Sequence, residues 1–242
     1  MVELRNLTAG YGEKTIIRDI SLTFPPGTVT AILGVNGCGK STLLKAAAGL
    51  IPLQGGEVLV DEPRARNIAY LPQTRRLPEL TAGRLVLHGR FPWLGWPRIY
   101  RPADHAAARA AMERLGVAQF ADTPMSELSG GTRQKIYLAM ALAQEAPTIL
   151  LDEPTSFLDP AHQLRLMELC RSLAAEGRAV VLVLHDLPLA LRFTDRLAVL
   201  DGGRLIALGT TGEIMSTNIL QETFGVRIFP VQTPLGTQYV CG

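Results

Sequence analysis

Apolar residues follow three rhythms along the chain, and each predicts a different kind of element. Near the N-terminus they alternate with polar ones, at Val2, Leu4 and Leu7 and again at Ile17, Ile20 and Leu22 within residues 15–24, as in strands with one buried face. A Gly10-Tyr11-Gly12 turn separates these runs, with Tyr11 expected on a mobile tip, and Pro25-Pro26-Gly27 ends the second. Residues 28–33, 148–151 and 179–184 are instead short unbroken apolar runs, the pattern of parallel strands buried on both faces. Further strands are expected at 57–60 after Gly55-Gly56, at 68–71 before Pro72-Gln73, and at 196–200 and 204–208 around an Asp201-Gly202-Gly203 hairpin.

Helical spacing makes up the third rhythm. It predicts a helix at 42–48 closed by Gly49 with Pro52 as its stop, and an alanine-rich one at 104–115 before Gly116. Another runs from Ser129, a candidate N-cap, to about Gln144. A long helix runs from Phe157 through Glu176, with Leu164, Met167, Leu169 and Leu173 on its apolar face and Gly177 at its end. Residues 61–67 read as a loop. Short amphipathic helices are expected up to Phe224, and residues 225–242 show no chemistry. Strands that alternate with helices give an α/β class, and residues 74–127, with Pro92, Trp93, Trp96 and Pro97 close together, look like a helical insertion.

Composition narrows the function classes. A chain of 242 residues with 47% hydrophobic content suits one compact unit, and its net charge of +2 gives no electrostatic footprint for a polyanion, so no nucleic-acid partner is expected. Cys38, Cys170 and Cys241 are odd in number and share no metal-ligand spacing, which predicts reduced thiols in a cytosolic protein. The N-terminus lacks a signal peptide's apolar core, and the apolar stretch 136–151 is broken by Gln144, Glu145 and Pro147, so no membrane span is expected.

The candidate chemistry centres on residues 28–42. Gly34, four residues, then Gly39-Lys40-Ser41 is the spacing of a phosphate-binding loop, and it stands between an expected strand and an expected helix, as that loop requires. Glycines let successive N–H groups turn onto one anion, to which the helix N-terminus adds partial positive charge. Lys40 then reaches the β/γ-phosphates and Ser41 ligates Mg²⁺; the competing reading is a glycine-rich turn that matches by chance. Cys38 lies inside the loop, where a thiol adduct is expected to collide with nucleotide. Asp152-Glu153 end a buried strand at the edge where α/β sheets bind ligands, with Asp152 suited to hydrated Mg²⁺ and Glu153 to an attacking water. His185 ends the next apolar strand and can hydrogen-bond a γ-phosphate, and Gln73 stands at a strand end beside the same Mg²⁺ site. Each of these, and Tyr11 as a purine-stacking ring, also has an ordinary surface or turn reading when taken alone.

Tyr11, the loop from Gly34 to Ser41, Gln73, Leu128-Ser129-Gly130-Gly131, Asp152-Glu153, Asp159 and His185 stand in the order and spacing of the ATP-binding cassette ATPases, which the chain resembles over about residues 1–225. The resemblance implies a P-loop core of mainly parallel sheet with an antiparallel β-subdomain (1–73 and 146–225), an inserted helical subdomain (74–145) and a tail (226–242). It implies ATP and Mg²⁺ as cofactors, with ATP held by Tyr11, Gly34, Asn36, Gly37, Cys38, Gly39, Lys40, Ser41 and Thr42 and the metal by Ser41, Gln73 and Asp152. Glu153 becomes the general base, assisted by His185 and Gln73, and Asp159 lies in a dimer loop. Ser129, Gly130, Gly131 and Gln134 contact the ATP of a second, head-to-tail subunit. Residues 88–92, 156–163 and 184–187 look more narrowly like the ATPases of metal-chelate importers for iron-siderophores, haem or cobalamin. Val35, Thr132 and the short 61–67 loop depart from that pattern. The implied partners are polytopic permease subunits and an extracytoplasmic binding protein, at the cytoplasmic face of the membrane. Phe91, Trp93 and Trp96 are either anchors for the permease or the small core of the helical lobe. A cassette for another substrate, an exporter, a soluble cassette acting on ribosomes or DNA, and an inert nucleotide-binding scaffold are the other readings.

Overall fold

The computed structural model describes residues 1–73, 77–156, 158–234 and 236–242. The expected helix start at Phe157 and the first residues of the insertion, 74–76, lie outside the described residues. In chain order come β1 (Val2–Tyr11), β2 (Lys14–Phe24), β3 (Val29–Leu33), α1 (Lys40–Ala47), β4 (Leu53–Leu59), α2 (Arg64–Asn67) and β5 (Ile68–Leu71). After α3 (Ala82–Leu87), a 3-10 turn (His88–Trp93), α4 (Pro102–Arg114) and α5 (Gly130–Ala143), the chain returns to β6 (Thr148–Asp152), α6 (Pro160–Ala175), β7 (Ala179–Val183) and α7 (Leu187–Phe193). It closes with β8 (Arg196–Asp201), β9 (Arg204–Thr210), α8 (Thr211–Met215), α9 (Ile219–Phe224), β10 (Ile228–Thr233) and β11 (Gly236–Cys241).

The larger sheet has the order β5-β6-β7-β3-β8-β9, parallel except for β8 with β9. Every residue of β3, β6 and β7 is buried, which is why these strands read as unbroken apolar runs. Successive side chains go to opposite faces. Ala31, Ile149, Leu151 and Leu182 join a core with Ile136 and Leu138 of α5, while Ile32, Leu150, Val181 and Val183 pack with Leu43 and Leu44 of α1 and the inner residues of β1 and β2. The second sheet, β2-β1-β4, is antiparallel.

Several expectations are corrected. Strand β4 starts at Leu53, not after Gly55-Gly56, because Gly56 takes φ +75° inside it, where a Cβ would lie 2.3 Å from the carbonyl oxygens of Arg5 and Asn6. Only glycine lets β1 pass so close. Residues 64–67 form a short helix rather than loop. The long helix starts at Pro160, capped by Asp159, whose carboxylate accepts from the His162 N–H at 2.9 Å. It buries Leu166, Met167, Cys170, Leu173 and Ala174, leaving Leu164 exposed. Strands β10 and β11 pair antiparallel and are tied to α7, with Arg192 donating to Oε1 of Gln238 at 3.0 Å.

The 3-10 turn is fixed from beneath. Gly89 lies so close to α5 that a Cβ would fall 2.1 Å from the Met140 carbonyl oxygen. Buried Arg90 donates to Asp104 at 3.1 Å, to Glu145 at 2.5 Å and to the Ala143 carbonyl at 2.9 Å. These contacts hold Phe91, Trp93 and Trp96 at the surface, 47%, 38% and 93% exposed, so these rings are not the core of the helical region. Trp93 is the most constrained: its Nε1 donates to the Gln144 carbonyl, and the Arg66 and Arg90 guanidinium groups lie over its ring.

Candidate active site

Strand β3 leads into the loop at 34–39 and then into α1. Gly34, at φ +152°, has no room for a side chain, since a Cβ would lie 2.3 Å from the Leu200 carbonyl oxygen; Gly39, at φ +105°, would meet Ile17 at 2.5 Å. The turn therefore needs glycine on steric grounds as well as for its backbone angles. Buried Lys40 folds back over the loop, donating from Nζ to the carbonyls of Gly34 at 2.8 Å and Val35 at 2.9 Å. Asn36 and Gly37 lie exposed on the outer turn, and Thr42 is buried on α1. The Cys38 thiol lies against Gly34, where an added Cβ would meet its Sγ at 2.6 Å. It is buried in the core cluster with Leu43 and Leu44, and burial pushes its pKa up against the opposing pull of Lys40. A reagent must therefore reach a buried thiol before the expected collision of a Cys38 adduct with nucleotide can arise.

Two carboxylates emerge at the end of β6, and each meets a different set of partners. The hydroxyl of Ser41 donates to Oδ1 of Asp152 at 2.9 Å, and that of Tyr70 to Oδ2 at 3.1 Å. Burial drives the Asp152 carboxyl above the usual carboxylate range, with the two hydroxyls opposing and Glu153 adding to the shift. Lys45 is the cation that opposes this shift from a distance. With the Ser41 hydroxyl the Asp152 carboxylate offers hard oxygen donors of the kind Mg²⁺ takes alongside phosphate oxygens, so these residues fit that ion.

Glu153 follows with φ +49°, a left-handed backbone unusual for a non-glycine residue, and this turns its side chain off the strand. Its Oε1 lies 2.6 Å from Nε2 of His185, at the end of β7. Its Oε2 accepts from the Gln73 amide at 2.5 Å and from the Ser156 hydroxyl at 3.1 Å. Because β5, β6 and β7 are neighbours, Gln73, Glu153 and His185 meet at the carboxyl edge of the sheet. The Gln73 amide goes to Glu153 here.

The remaining expected residues sit elsewhere in the contact network. Ser129 caps α5, its hydroxyl accepting from the Thr132 N–H at 3.2 Å and lying 2.9 Å from the Thr132 hydroxyl. Gly130 and Gly131 form the first turn of that helix, where a Cβ would meet nothing within 4 Å. Gln134 donates to the Pro154 carbonyl at 2.8 Å within its own chain, tying α5 to the turn after Glu153. Tyr11 stands at the end of the β1–β2 hairpin. It is the last residue of β1, paired with Lys14, and the Gly12 carbonyl beyond it accepts from the Gln54 amide at 2.9 Å. Its ring is exposed. Sequence reasoning missed Tyr70 and Ser156; the spacing of Tyr70 to the end of its strand was visible, but its partner lies 82 positions away.

Comparison with known proteins gives concordant results. A family model described as ABC transporter matches residues 17–156. The ferric enterobactin transport ATP-binding protein of Escherichia coli (strain K12) is 38% identical, across 97% of this chain and 91% of its own length. A transporter chain described as of metal-chelate type, in an inward-facing conformation, superposes with a TM-score of 0.88 at 29% identity, covering 100% of this chain and 97% of that one. A dimeric ATP-binding cassette in a post-hydrolysis state with ADP and phosphate gives a TM-score of 0.76 at 29% identity, over 87% of this chain and 99% of that one.

Proposed function

Because the chain belongs to the ABC transporter family, we propose that it hydrolyses ATP at sites shared between two copies and so energises import of a metal chelate, such as an iron-siderophore, haem or cobalamin, through separate membrane subunits. The observation that carries the chemistry is the convergence of Gln73, Ser156 and His185 on Glu153, beside the Ser41–Asp152 pair. Glu153 takes the proton of the attacking water, and its neighbours hold both carboxylate oxygens in place while it does so. Lys40 leaves the loop carbonyls and turns its ammonium to the β/γ-phosphates, while the backbone of residues 34–39 cradles them. Ser41 and Asp152 would hold Mg²⁺, which would supply positive charge to offset that of the phosphates. His185 contacts the γ-phosphate. Tyr11 stacks on the base. The domain division follows the same reading, with residues 74–145 as the helical signature subdomain inserted in the nucleotide-binding core.

The second copy enters through Ser129. The N-terminus of α5, capped by Ser129, carries a partial positive charge that suits a phosphate, and the implied head-to-tail pairing brings the partner's ATP there, with Asp159 in the loop between the two copies. The exposed Phe91, Trp93 and Trp96 provide the kind of aromatic anchor that permease contacts use. Among the described residues no helix is long and apolar enough to cross a membrane, so passage itself falls to a polytopic partner, with this chain at its cytoplasmic face and a binding protein delivering cargo on the other side.

Reconstitution with a permease and binding protein in vesicles tests the reading. ATP-dependent uptake of a ferric siderophore, haem or cobalamin is expected. ATP hydrolysis that ignores loaded binding protein, with none of the three taken up, would contradict it.

A further inference from the structure

Tyr70 on β5 and Gln73 just past it grip the carboxylates of Asp152, at the end of β6, and of Glu153, which follows it. Gln73 reaches Glu153, and three residues earlier Tyr70 reaches Asp152. The register explains how. Tyr70 pairs with Leu150, and Asp152 lies two residues further along β6, so its side chain leaves the same face of the sheet. The Tyr70 ring is half-buried against the cluster that contains Leu43, Leu150 and Val181, and it leans along the strand until its hydroxyl meets Oδ2.

We infer that Tyr70 is a positioning residue for Asp152, its phenol fixing the plane of the carboxylate that organises Mg²⁺. The inference rests on the proposed role of Asp152. The last torsion of an aspartate side chain is broad and roughly two-fold, so one hydrogen bond leaves the carboxylate plane poorly defined. Here Ser41 holds one oxygen and Tyr70 the other, and the two hydroxyls come from different elements, α1 and β5. Of the two, Ser41 changes its surroundings when its oxygen becomes a metal ligand, whereas Tyr70 stays seated in the core. A phenylalanine would fill the same apolar space but leave Oδ2 buried without its donor.

The test is Tyr70→Phe in a Glu153→Gln background, which removes turnover from the readout. ATP binding is followed by displacement of a fluorescent ATP analogue, first in EDTA and then across a Mg²⁺ titration. Outer-shell partners of metal ligands typically set metal affinity by a factor of about 10 to 100. Accordingly the Mg²⁺ concentration giving half of the metal-dependent gain in affinity should rise roughly tenfold, while binding in EDTA stays as in the parent. A half-saturation within about twofold of the parent, or an equal loss with and without Mg²⁺, overturns the inference, since a merely structural tyrosine would weaken both alike. Asp152→Asn in the same background separates the two levels. If it leaves the Mg²⁺ titration unchanged, Asp152 is not the metal organiser and the inference falls with that reading; if it shifts the titration and Tyr70→Phe does not, the inference alone fails.

Discussion

The side-chain amide of Gln73 donates to Oε2 of Glu153 at 2.5 Å, joining the ends of neighbouring strands β5 and β6 at the point where His185 holds the other carboxylate oxygen. The group proposed as general base is thus hydrogen-bonded to a residue that precedes, in sequence, the exposed aromatics of the proposed permease contact. Glu153→Gln keeps the size of the side chain but cannot take a proton. It should bind ATP as wild type does and hydrolyse it about 10²- to 10⁴-fold more slowly. A variant hydrolysing within threefold of wild type removes Glu153 from that role.

Arg90 and Asp104 make a buried pair whose loss should be felt in stability. Asp104→Ala leaves the Arg90 guanidinium with Glu145 as its one carboxylate and should cost about 1–3 kcal/mol in chemical denaturation. The Arg101 N–H, then Arg90, hold the Asp104 carboxyl below its ordinary value of 3.8. A depressed folded-state value means that the contribution is complete above the unfolded value and is lost as pH falls below it towards the folded one. The gap between wild type and variant should therefore be constant from neutral pH down to that ordinary value of 3.8 and narrow below it. A gap that widens on acidification contradicts the assignment.

The three thiols should separate in reactivity. Cys241 is exposed, Cys38 is buried with its thiol pushed up in pKa, and burial takes Cys170 up to about 12. In native protein a thiol reagent should label Cys241 quickly and the other two only on unfolding, so that ATPase activity survives the first equivalent. Rapid inactivation that Cys38→Ser abolishes would show that the loop opens more readily than its packing indicates.

Much of this architecture is legible in the sequence because the informative strands are buried on both faces. The runs at 148–151 and 179–184 announce themselves, and Asp152-Glu153 and His185 are conspicuous as polar groups at their ends. Elements decided by a distant partner were not legible. Gly56 looks like a turn before a strand and in fact lies inside one, opposite the extra residue by which β1 bulges between Arg5 and Thr8, and Tyr70 looks like an ordinary strand aromatic until Asp152 comes alongside. Leu164 shows helical spacing yet stays exposed, since Leu166 and Cys170 lie on the side of α6 that faces the sheet. The burial of Arg90 depends on Asp104 and Glu145, which local pattern cannot pair with it.

Phe91 and Trp96 should matter to coupling rather than to folding. Both rings are exposed, so Phe91→Ala with Trp96→Ala should change stability by no more than about 0.5 kcal/mol per site and leave the ATPase rate of the isolated chain as it was. Stimulation of that rate by the permease should be lost. A destabilised chain, or normal stimulation, argues against the contact surface.

The central claim is that two copies build each hydrolytic site together, and covalently linked pairs test it most directly. One half of the pair carries Lys40→Ala and Ser129→Arg together, and the other half is wild type. If Lys40 and Glu153 of one copy work with Ser129 of the other, the mutant half damages its own phosphate loop and also the contact it makes to its partner's ATP, so ATPase activity should fall far below half that of the wild-type pair. Activity near half would mean that each chain hydrolyses ATP by itself, and the shared-site account would be wrong.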